Sequence, residues 1–537
     1  MPTTTTRRER EIGRRRTFAI ISHPDAGKTT LTEKLLLYGG ALHLAGSVKA
    51  RKAARHATSD WIEMEKERGI SVTSSVLQFE YDDYRVNLLD TPGHADFSED
   101  TYRTLVAADS AVMLLDNRKG VEERTRKLFK VCERRDIPIF TFVNKCDRVG
   151  TDPLELLDDV EQDLGMTCYP FTWPVLDGPE FLGVYERRAG LVHLFEKGEH
   201  HGQERVEETA FPLDGDAARD HLGPELVEKV REEAELLELA GAGWDQEAFE
   251  RGELSPTFFG RALTNFGVEI FLEQFLRLAP PPRPRPSDRG PVAPSEEDFS
   301  GFVFKIQANM DPNHRDRVAF IRICSGSFEP GMEVTNARSG DRVRLSQPRK
   351  FMAREREAVD EAWPGDVVGV LDRGDLHIGD TLTEDGDLTF GGIPRFSPEH
   401  FARVRVPDPL RRKHLDKGLQ QLSEEGAAQV FYEGSRVGPS PIVGAVGVLQ
   451  FDVLVHRLDT EYDVDARLEA MPYSRARWVE GEEEAIRRVA SGYGRKLVYD
   501  GKERPLLLFE NDFSMRRTME DAPELIFHEV APGAPVE

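Results

Sequence analysis

A chain of 537 residues with 71 Lys plus Arg against 96 Asp plus Glu carries a formal net charge of −25 at pH 7, which excludes a uniformly basic nucleic-acid coat. With 39% hydrophobic and 31% charged residues, 45 Gly and 33 Pro, the composition excludes disorder throughout and leaves room for about three or four globular domains. No run approaches the roughly 18 apolar residues of a membrane span and no secretory signal is apparent, so no membrane partner is expected and the expected compartment is the cytoplasm.

The acid is concentrated. Residues 151–280 hold 10 Lys plus Arg against 29 Asp plus Glu, and stretches such as Glu225 to Glu238 read as solvated helix faces, expected to face solvent or protein. The first sixteen residues instead include Arg7, Arg8, Arg10, Arg14, Arg15 and Arg16, and residues 1–16 are read as a flexible basic tail. Cys132, Cys146, Cys168 and Cys324 show neither C-x-x-C pairing nor nearby His ligands, so free thiols are expected.

Residues 17–279 alternate short apolar runs with longer amphipathic stretches, the mark of βαβ units and a largely parallel sheet. The strand from Thr17 to Ile21 runs directly into a phosphate-binding loop and then a helix beginning near Thr30. The loop consists of Ser22, His23, Pro24, Asp25, Ala26, Gly27, Lys28 and Thr29, the G-x-x-x-x-G-K-[ST] pattern with Ser22 in the first glycine position, tolerable where the backbone is extended. Backbone N–H groups around Asp25 to Lys28 suit a phosphate, Lys28 places a point charge between the β- and γ-phosphates, and Thr29 offers a hydroxyl to Mg2+. In Arg68-Gly-Ile-Ser-Val-Thr73, Ser71 is the expected second Mg2+ hydroxyl, with Thr73 the alternative.

The strand from Val86 to Asp90 ends in Asp90, Thr91, Pro92 and Gly93. Asp90 is suited to holding the metal through its hydration shell and Gly93 to giving an N–H to the γ-phosphate, while the adjacent His94 can orient the attacking water. Strands follow at Ala111 to Asp116 and Ile137 to Val143, the second leading into Asn144, Lys145, Cys146 and Asp147. The Asp147 carboxylate can accept both N–H bonds of the guanine N1 and N2 edge, whereas adenine lacks the second donor. Cys146 is expected to pack beside the base. Three motifs in this order, each at a strand end, indicate a P-loop domain that binds GTP and GDP, and the switch elements indicate hydrolysis.

After Asp152-Pro153 a helix is expected with Leu154, Leu157, Val160 and Leu164 on one face. Residues 280–297, rich in Pro, read as a stiff linker. A period of two in Gly301 to Ile306 and Val318 to Cys324, with turns at Pro330-Gly331, Pro364-Gly365 and Gly379-Asp380, predicts a β-barrel domain over 298–395. Residues 396–537 predict an α+β domain, ferredoxin-like in its β-α-β-β-α-β order as far as Leu468, with further strands at Lys496 to Tyr499 and Pro505 to Phe509. This C-terminal domain and the barrel are nearly balanced in charge and offer local basic stretches such as Arg403, Arg405, Arg411, Arg412 and Lys413.

The phosphate loop, Arg68-Gly-Ile70, Asp90 to His94 and Asn144 to Asp147 resemble those of the translational GTPases. Ile20 to Lys28, Asp96 to Arg103, Gly301 to Pro312 and Gly444 to Val453 are similar to the class-II peptide chain release factors within that family, over a span from about Arg14 to Leu468. The resemblance implies a three-domain GTPase, monomeric when free, that meets the rRNA and proteins of the terminating ribosome and promotes dissociation and recycling of class-I release factors. It also implies an apolar gate flanking His94 at Ile70 and Pro24, although Pro24 is not the aliphatic residue common elsewhere. The family's last base-contacting motif corresponds to Gly260-Arg-Ala-Leu263, with Arg261 in the place of a serine and Ala262 N–H a candidate donor to the guanine carbonyl.

Overall fold

The computed structural model describes residues 6–40, 73–195, 208–241, 243–308, 317–346, 349–352, 355–358, 360–384, 386–391, 393, 397–434 and 441–531. The expectations for Arg68, Ile70 and Ser71 lie outside these residues. The chain divides into two compact units: Met1–His94 with Ala107–Arg283 and Arg349–Val367, and Ala95–Val106 with Pro284–Pro348 and Val368–Glu537.

The first unit opens on a correction. Residues 6–16 are not a flexible tail: Thr6 and Glu9 form a reciprocal capping box at the start of α1 (Arg7–Gly13), which leads into β1 (Arg15–Ser22). Arg15 is fully buried, with its guanidinium 2.7 Å from Asp366 and 2.8 Å from Glu11, and Arg16 Nε donates to Leu276 O at 3.0 Å. These long-range partners turn a run of arginines into structure, because a buried guanidinium is stable only when its donors and charge are met. Asp366 lies in the sequence span assigned to the barrel, yet Arg349–Val367 groups with the first unit. There Thr17 Oγ1 donates to Gly365 O at 2.6 Å and Gln78 Nε2 to Val367 O at 3.0 Å.

The remaining elements of the nucleotide-binding region are α2 (Lys28–Tyr38), β2 (Ser75–Tyr81), β3 (Tyr84–Asp90), α3 (Ser98–Val106, part of the second unit), β4 (Ser110–Asp116), α4 (Glu123–Glu133), β5 (Ile139–Asn144), α5 (Pro153–Leu164) and β6 (Thr167–Pro170). An insertion follows, made of β7 (Thr172–Asp177), β8 (Glu180–Glu186), β9 (Leu191–Phe195), β10 (Glu208–Pro212), α6 (Asp216–Leu222) and α7 (Pro224–Ala240). The chain then returns through α8 (Gln246–Glu250), β11 (Leu254–Phe259) and α9 (Val268–Leu278). Seven strands form one sheet in the order β2-β3-β1-β4-β5-β11-β6, parallel except for β2 against β3. Both faces are covered, so β1, β4 and β5 are buried along their whole length and read as continuous apolar runs. Phe18, Phe140 and Phe275 meet with ring centroids 4.5 and 4.7 Å apart and anchor α9 to the sheet. In α5, capped by Asp152, Leu156 joins Leu157, Val160 and Leu164 in the core where the sequence pointed to Leu154.

The insertion is an antiparallel sheet in the order β10-β9-β8-β7, whose Val175, Val192 and Phe211 pack with Val227 and Val230 of α7. It carries much of the acid: Glu225, Glu228, Glu232, Glu235 and Glu238 of α7 are exposed. His193 of β9 is buried between Glu186 of β8 at 3.2 Å and Glu208 of β10 at 3.3 Å. Burial alone would lower its pKa, but the two carboxylates outweigh it and raise the value to about 9. The stabilisation is therefore full below the unfolded pKa of about 6.5 and is lost as pH rises through about 9. Moving from pH 6.5 to pH 10 is expected to cost the wild-type chain on the order of 2 kcal/mol more than a His193→Gln variant. Thermal melts of both proteins at the two pH values measure it, and equal losses would refute it.

In the second unit, β12 (Ser300–Ala308), β13 (Arg317–Ser325), β14 (Glu333–Asn336), β15 (Arg342–Arg344), β18 (Val367–Leu371) and β19 (Thr381–Thr383) follow the order β15-β14-β19-β12-β13-β18. The hairpin of β16 (Arg349–Met352) and β17 (Glu355–Ala358) belongs to the first unit. The alternation read in β12 and β13 does not mark a wet face: β13 is buried throughout, and α3 packs on β12. Arg317 meets Asp372, just past β18, at 2.7 Å and Glu424 at 2.5 Å, so its largely buried charge is met from both the barrel and the C-terminal region.

The C-terminal region contains β20 (His400–Arg405), α10 (Arg412–Glu424), β21 (Gln429–Tyr432), β22 (Ile442–Ala445), α11 (Leu449–Tyr462) and β23 (Arg467–Ala470), the β-α-β-β-α-β series expected. The sequence signals weaken beyond Tyr473, yet the series repeats there as β24 (Arg475–Glu480), α12 (Glu483–Ala490), β25 (Arg495–Asp500), β26 (Pro505–Phe509), α13 (Asp512–Asp521) and β27 (Ile526–His528). The two repeats join through β21 and β25 into one eight-stranded sheet, β23-β20-β22-β21-β25-β26-β24-β27. Each half has its second strand at the seam, so neither leaves that edge open. The basic stretch read near Arg403 is largely neutralised: Arg403 pairs with Glu433, Arg405 with Glu469, Arg411 with Asp463 and Arg412 with Asp416.

Within this unit α3 is fastened at both ends. Asp96 Oδ2 accepts from Leu449 N at 2.7 Å, capping the first turn of α11, and Arg103 Nη2 donates to Gly426 O at 3.1 Å. Gly447 lies against Asp96 so closely that a Cβ would collide with its backbone and side chain. Gly447→Ala is expected to destabilise the unit by about 2 kcal/mol through overpacking and to quicken amide exchange across residues 98–106. Unchanged exchange there would refute the fastening.

Candidate nucleotide-binding site

The parallel sheet places the carboxyl ends of β1, β3, β4 and β5 side by side, and the chain leaves β1 toward β3 on one side and β4 on the other. Such a switch point opens a crevice at the strand ends. Ser22 closes β1 in extended pairing with Leu114, so its Cβ is accommodated as expected. The loop then turns through Asp25 at φ 67° and Gly27 at φ 101° into α2, which starts at Lys28, two residues earlier than predicted. Only glycine suits position 27, because a Cβ would also collide with Asn144 Nδ2. No side chain caps α2, which leaves its first N–H groups directed at the loop's concavity.

Lys28 Nζ lies 2.5 Å from Asp90 Oδ1, which also accepts from Thr32 Oγ1 at 3.3 Å; Lys28 and Asp90 are both buried. Thr91 Oγ1 donates to Ile20 O at 2.6 Å and ties the end of β3 to β1. The phosphate loop and the Asp90-to-His94 turn are thus neighbours, with Thr29 on the first turn of α2 and His94 half-buried at the close of the turn. The Thr29 hydroxyl and the Asp90 carboxylate are hard oxygen donors and fit a hydrated Mg2+. Thr73 is half-buried at the border of the described residues.

The second wall is built by Asn144 to Asp147. Asn144 Nδ2 donates to Ala26 O at 2.8 Å, and its Oδ1 accepts from Ala262 N at 2.9 Å. Ala262 N–H, a candidate donor to guanine, is therefore engaged within the protein. Lys145, at φ 66°, reaches Asp25 O and Asp116 Oδ2, the latter at 2.7 Å. Cys146 N donates to Gly260 O at 3.2 Å while its thiol, buried and pushed up to about 12, donates to Val143 O at 3.4 Å. Asp147 remains part-exposed, with Arg261 Nε 3.3 Å from its Oδ2.

Asp116 is a residue of the site that none of the three motifs contains. Burial pushes its carboxyl up, but the bonds from Lys145 and from Arg118 N outweigh it and hold the pKa below the ordinary value. It orients Lys145 beneath the phosphate loop. Its signal was available, since it ends β4 directly opposite Asn144 in the register. His23 is buried with Nδ1 3.5 Å from Glu122 Oε2, and burial lowers its pKa, so its imidazole is neutral at pH 7. Cys132 and Cys168 are likewise buried and pushed up to about 12, which makes them inert thiols. Among the described residues no group of three or more His, Cys, Asp or Glu side chains is placed to hold a metal ion, and no helix is long and apolar enough to cross a membrane.

This fold, with its motifs at the ends of β1, β3 and β5, defines a GTPase of the translational class. Residues 13–281 match the elongation factor Tu GTP binding domain, residues 298–385 elongation factor G domain 2, and residues 390–519 the domain described as "Class II release factor RF3, C-terminal domain". The chain belongs to the peptide chain release factor 3 family. It is 58% identical to peptide chain release factor 3 of Symbiobacterium thermophilum, covering 97% of this chain and 98% of that one, and 53% identical to that of Gloeothece citriformis, covering 98% and 97%. A crystal structure from Thermus thermophilus shares the fold with a TM-score of 0.67 at 24% identity, over 92% of this chain and 72% of that chain.

Proposed function

We infer that this protein is a GTPase of translation termination whose hydrolysis is stimulated by the ribosome and drives class-I release factors off the ribosome for recycling after peptide release. The observation that carries the reading is that Lys28 at the start of α2 meets Asp90 from the end of β3, while Asn144 from the end of β5 holds the phosphate loop at Ala26, in a chain of this family. Lys28 and the N–H groups of Ala26 to Thr29 hold the phosphates, Gly93 N–H meets the γ-phosphate, and His94 orients the attacking water. Asp147 accepts from guanine N1 and N2, while Asn144 and Lys145 brace the phosphate loop from below. Thr29, the Asp90 carboxylate through a hydration shell, and Ser71 or Thr73 would hold a Mg2+ ion, which when bound would supply charge neutralisation at the phosphates.

The protein is read as a cytoplasmic monomer that engages rRNA and ribosomal proteins. Exposed acid on α7 supports the view that the insertion faces solvent or protein. GTP hydrolysis measured with and without stop-codon ribosomes carrying a class-I release factor tests the reading. The expected result is a slow background raised about 10³- to 10⁵-fold, with accelerated departure of the class-I factor. A background unchanged by any ribosomal state would overturn it.

A further inference from the structure

Arg261 is placed by backbone that has little freedom. Its N donates to Phe266 O at 2.9 Å and its O accepts from Phe266 N at 3.1 Å, while the residues on either side are tied to the base-recognition loop, Gly260 O by Cys146 N and Ala262 N by Asn144 Oδ1. The side chain is thereby delivered to Asp147. Arg261 Nε is buried and makes no hydrogen bond among the described residues, yet it lies 3.3 Å from Asp147 Oδ2, with the two side chains 29% and 26% exposed. A donor taken out of water in this way is costly unless an acceptor compensates it, and the nearby carboxylate is the partner its charge requires.

A carboxylate has about four lone-pair sites, and the guanine edge uses two of them. Arg261 can therefore remain at Oδ2 while N1–H and N2–H bind. The terminal torsion of an aspartate is broad and roughly two-fold, so an isolated Asp147 would have to be ordered when the base arrives. A guanidinium carried to Oδ2 by a tied backbone supplies that order beforehand. We propose that Arg261 is a specificity-determining positioning residue, holding the Asp147 carboxylate in the orientation that accepts both guanine donors at once. The proposal rests on Asp147 being the guanine acceptor. It assigns a role to a residue that the sequence marks only as a departure from serine.

The test uses the full chain and equilibrium binding of GDP and of inosine diphosphate, whose base lacks the N2 amine. Arg261→Ala is expected to weaken GDP binding about tenfold and inosine diphosphate binding less, so that the preference for GDP falls several-fold. Arg261→Lys keeps the charge and is expected to retain most of the preference; Arg261→Ser, with a short hydroxyl, is expected to lie between. In an Asp147→Ala background, Arg261→Ala should change neither affinity, because the interaction it serves is already gone. Equal losses for both nucleotides, a loss that persists without Asp147, or no change at all would each overturn the proposal while leaving the guanine site standing. A wild-type chain without preference for GDP over inosine diphosphate would overturn the site reading and this proposal together.

Discussion

Replacing His94 by alanine is expected to leave GTP affinity within about twofold of the parent while lowering ribosome-stimulated turnover by about 10³-fold. The separation follows from where the residue stands. In the proposed reading, charge and hydrogen bonds for the phosphates come from Lys28, the N–H groups of Ala26 to Thr29 and Gly93, so losing the imidazole removes no ground-state contact. An effect confined to the transition state lowers the catalytic rate without weakening binding. Single-turnover phosphate release from terminating ribosomes, beside equilibrium nucleotide binding, measures the two quantities. Unchanged turnover removes His94 from the mechanism, and a parallel loss of affinity reassigns it to binding.

Asp147→Asn is expected to weaken GDP binding by about 10²-fold or more and to create a preference for xanthosine diphosphate. Both functional groups of Asn144 are already spent inside the protein, on Ala26 O and Ala262 N. In the proposed reading, Asp147 is the side chain of this loop that reads the base edge. Guanine offers two donors to two carboxylate oxygens, whereas an amide sets its NH2 against one of them and leaves a buried donor unmet. Xanthine carries a carbonyl at that position and restores the match. Competition binding of GDP and xanthosine diphosphate measures the exchange; a variant that keeps its preference for GDP would show that Asp147 does not read the base.

The phosphate loop and the turn after β3 were legible because each is a run of neighbouring residues. A backbone cradle needs contiguous N–H groups, and Gly27, Lys28 and Asp90 announce it at fixed offsets from buried strands. The β-α-β-β-α-β series up to β23 was legible from its helical face of Leu415, Leu419 and Leu422, all buried. The second series was not. Strand β25 is mostly half-buried and α13 buries only Met515 and Thr518, so the local patterns are weak although the sheet they complete is continuous.

The order of the motifs, the nucleotide they suit and the strands that carry them could all be read along the chain, since these depend on local spacing and on covalent backbone geometry. It took folding to make Arg15 a buried partner of Asp366 across 351 residues of sequence and to fasten α3 to Gly426 and Leu449. Folding also engaged Ala262 N–H with Asn144 and set Arg261 beside Asp147. The net charge of −25 is a property of the whole chain, but its distribution over the exposed face of α7 and the paired arginines of β20 and α10 follows from the packed structure. The physical reason is common to all of these: a buried charge or polar group must find its complement wherever the fold brings one near, and periodicity along the chain carries no record of partners hundreds of residues away.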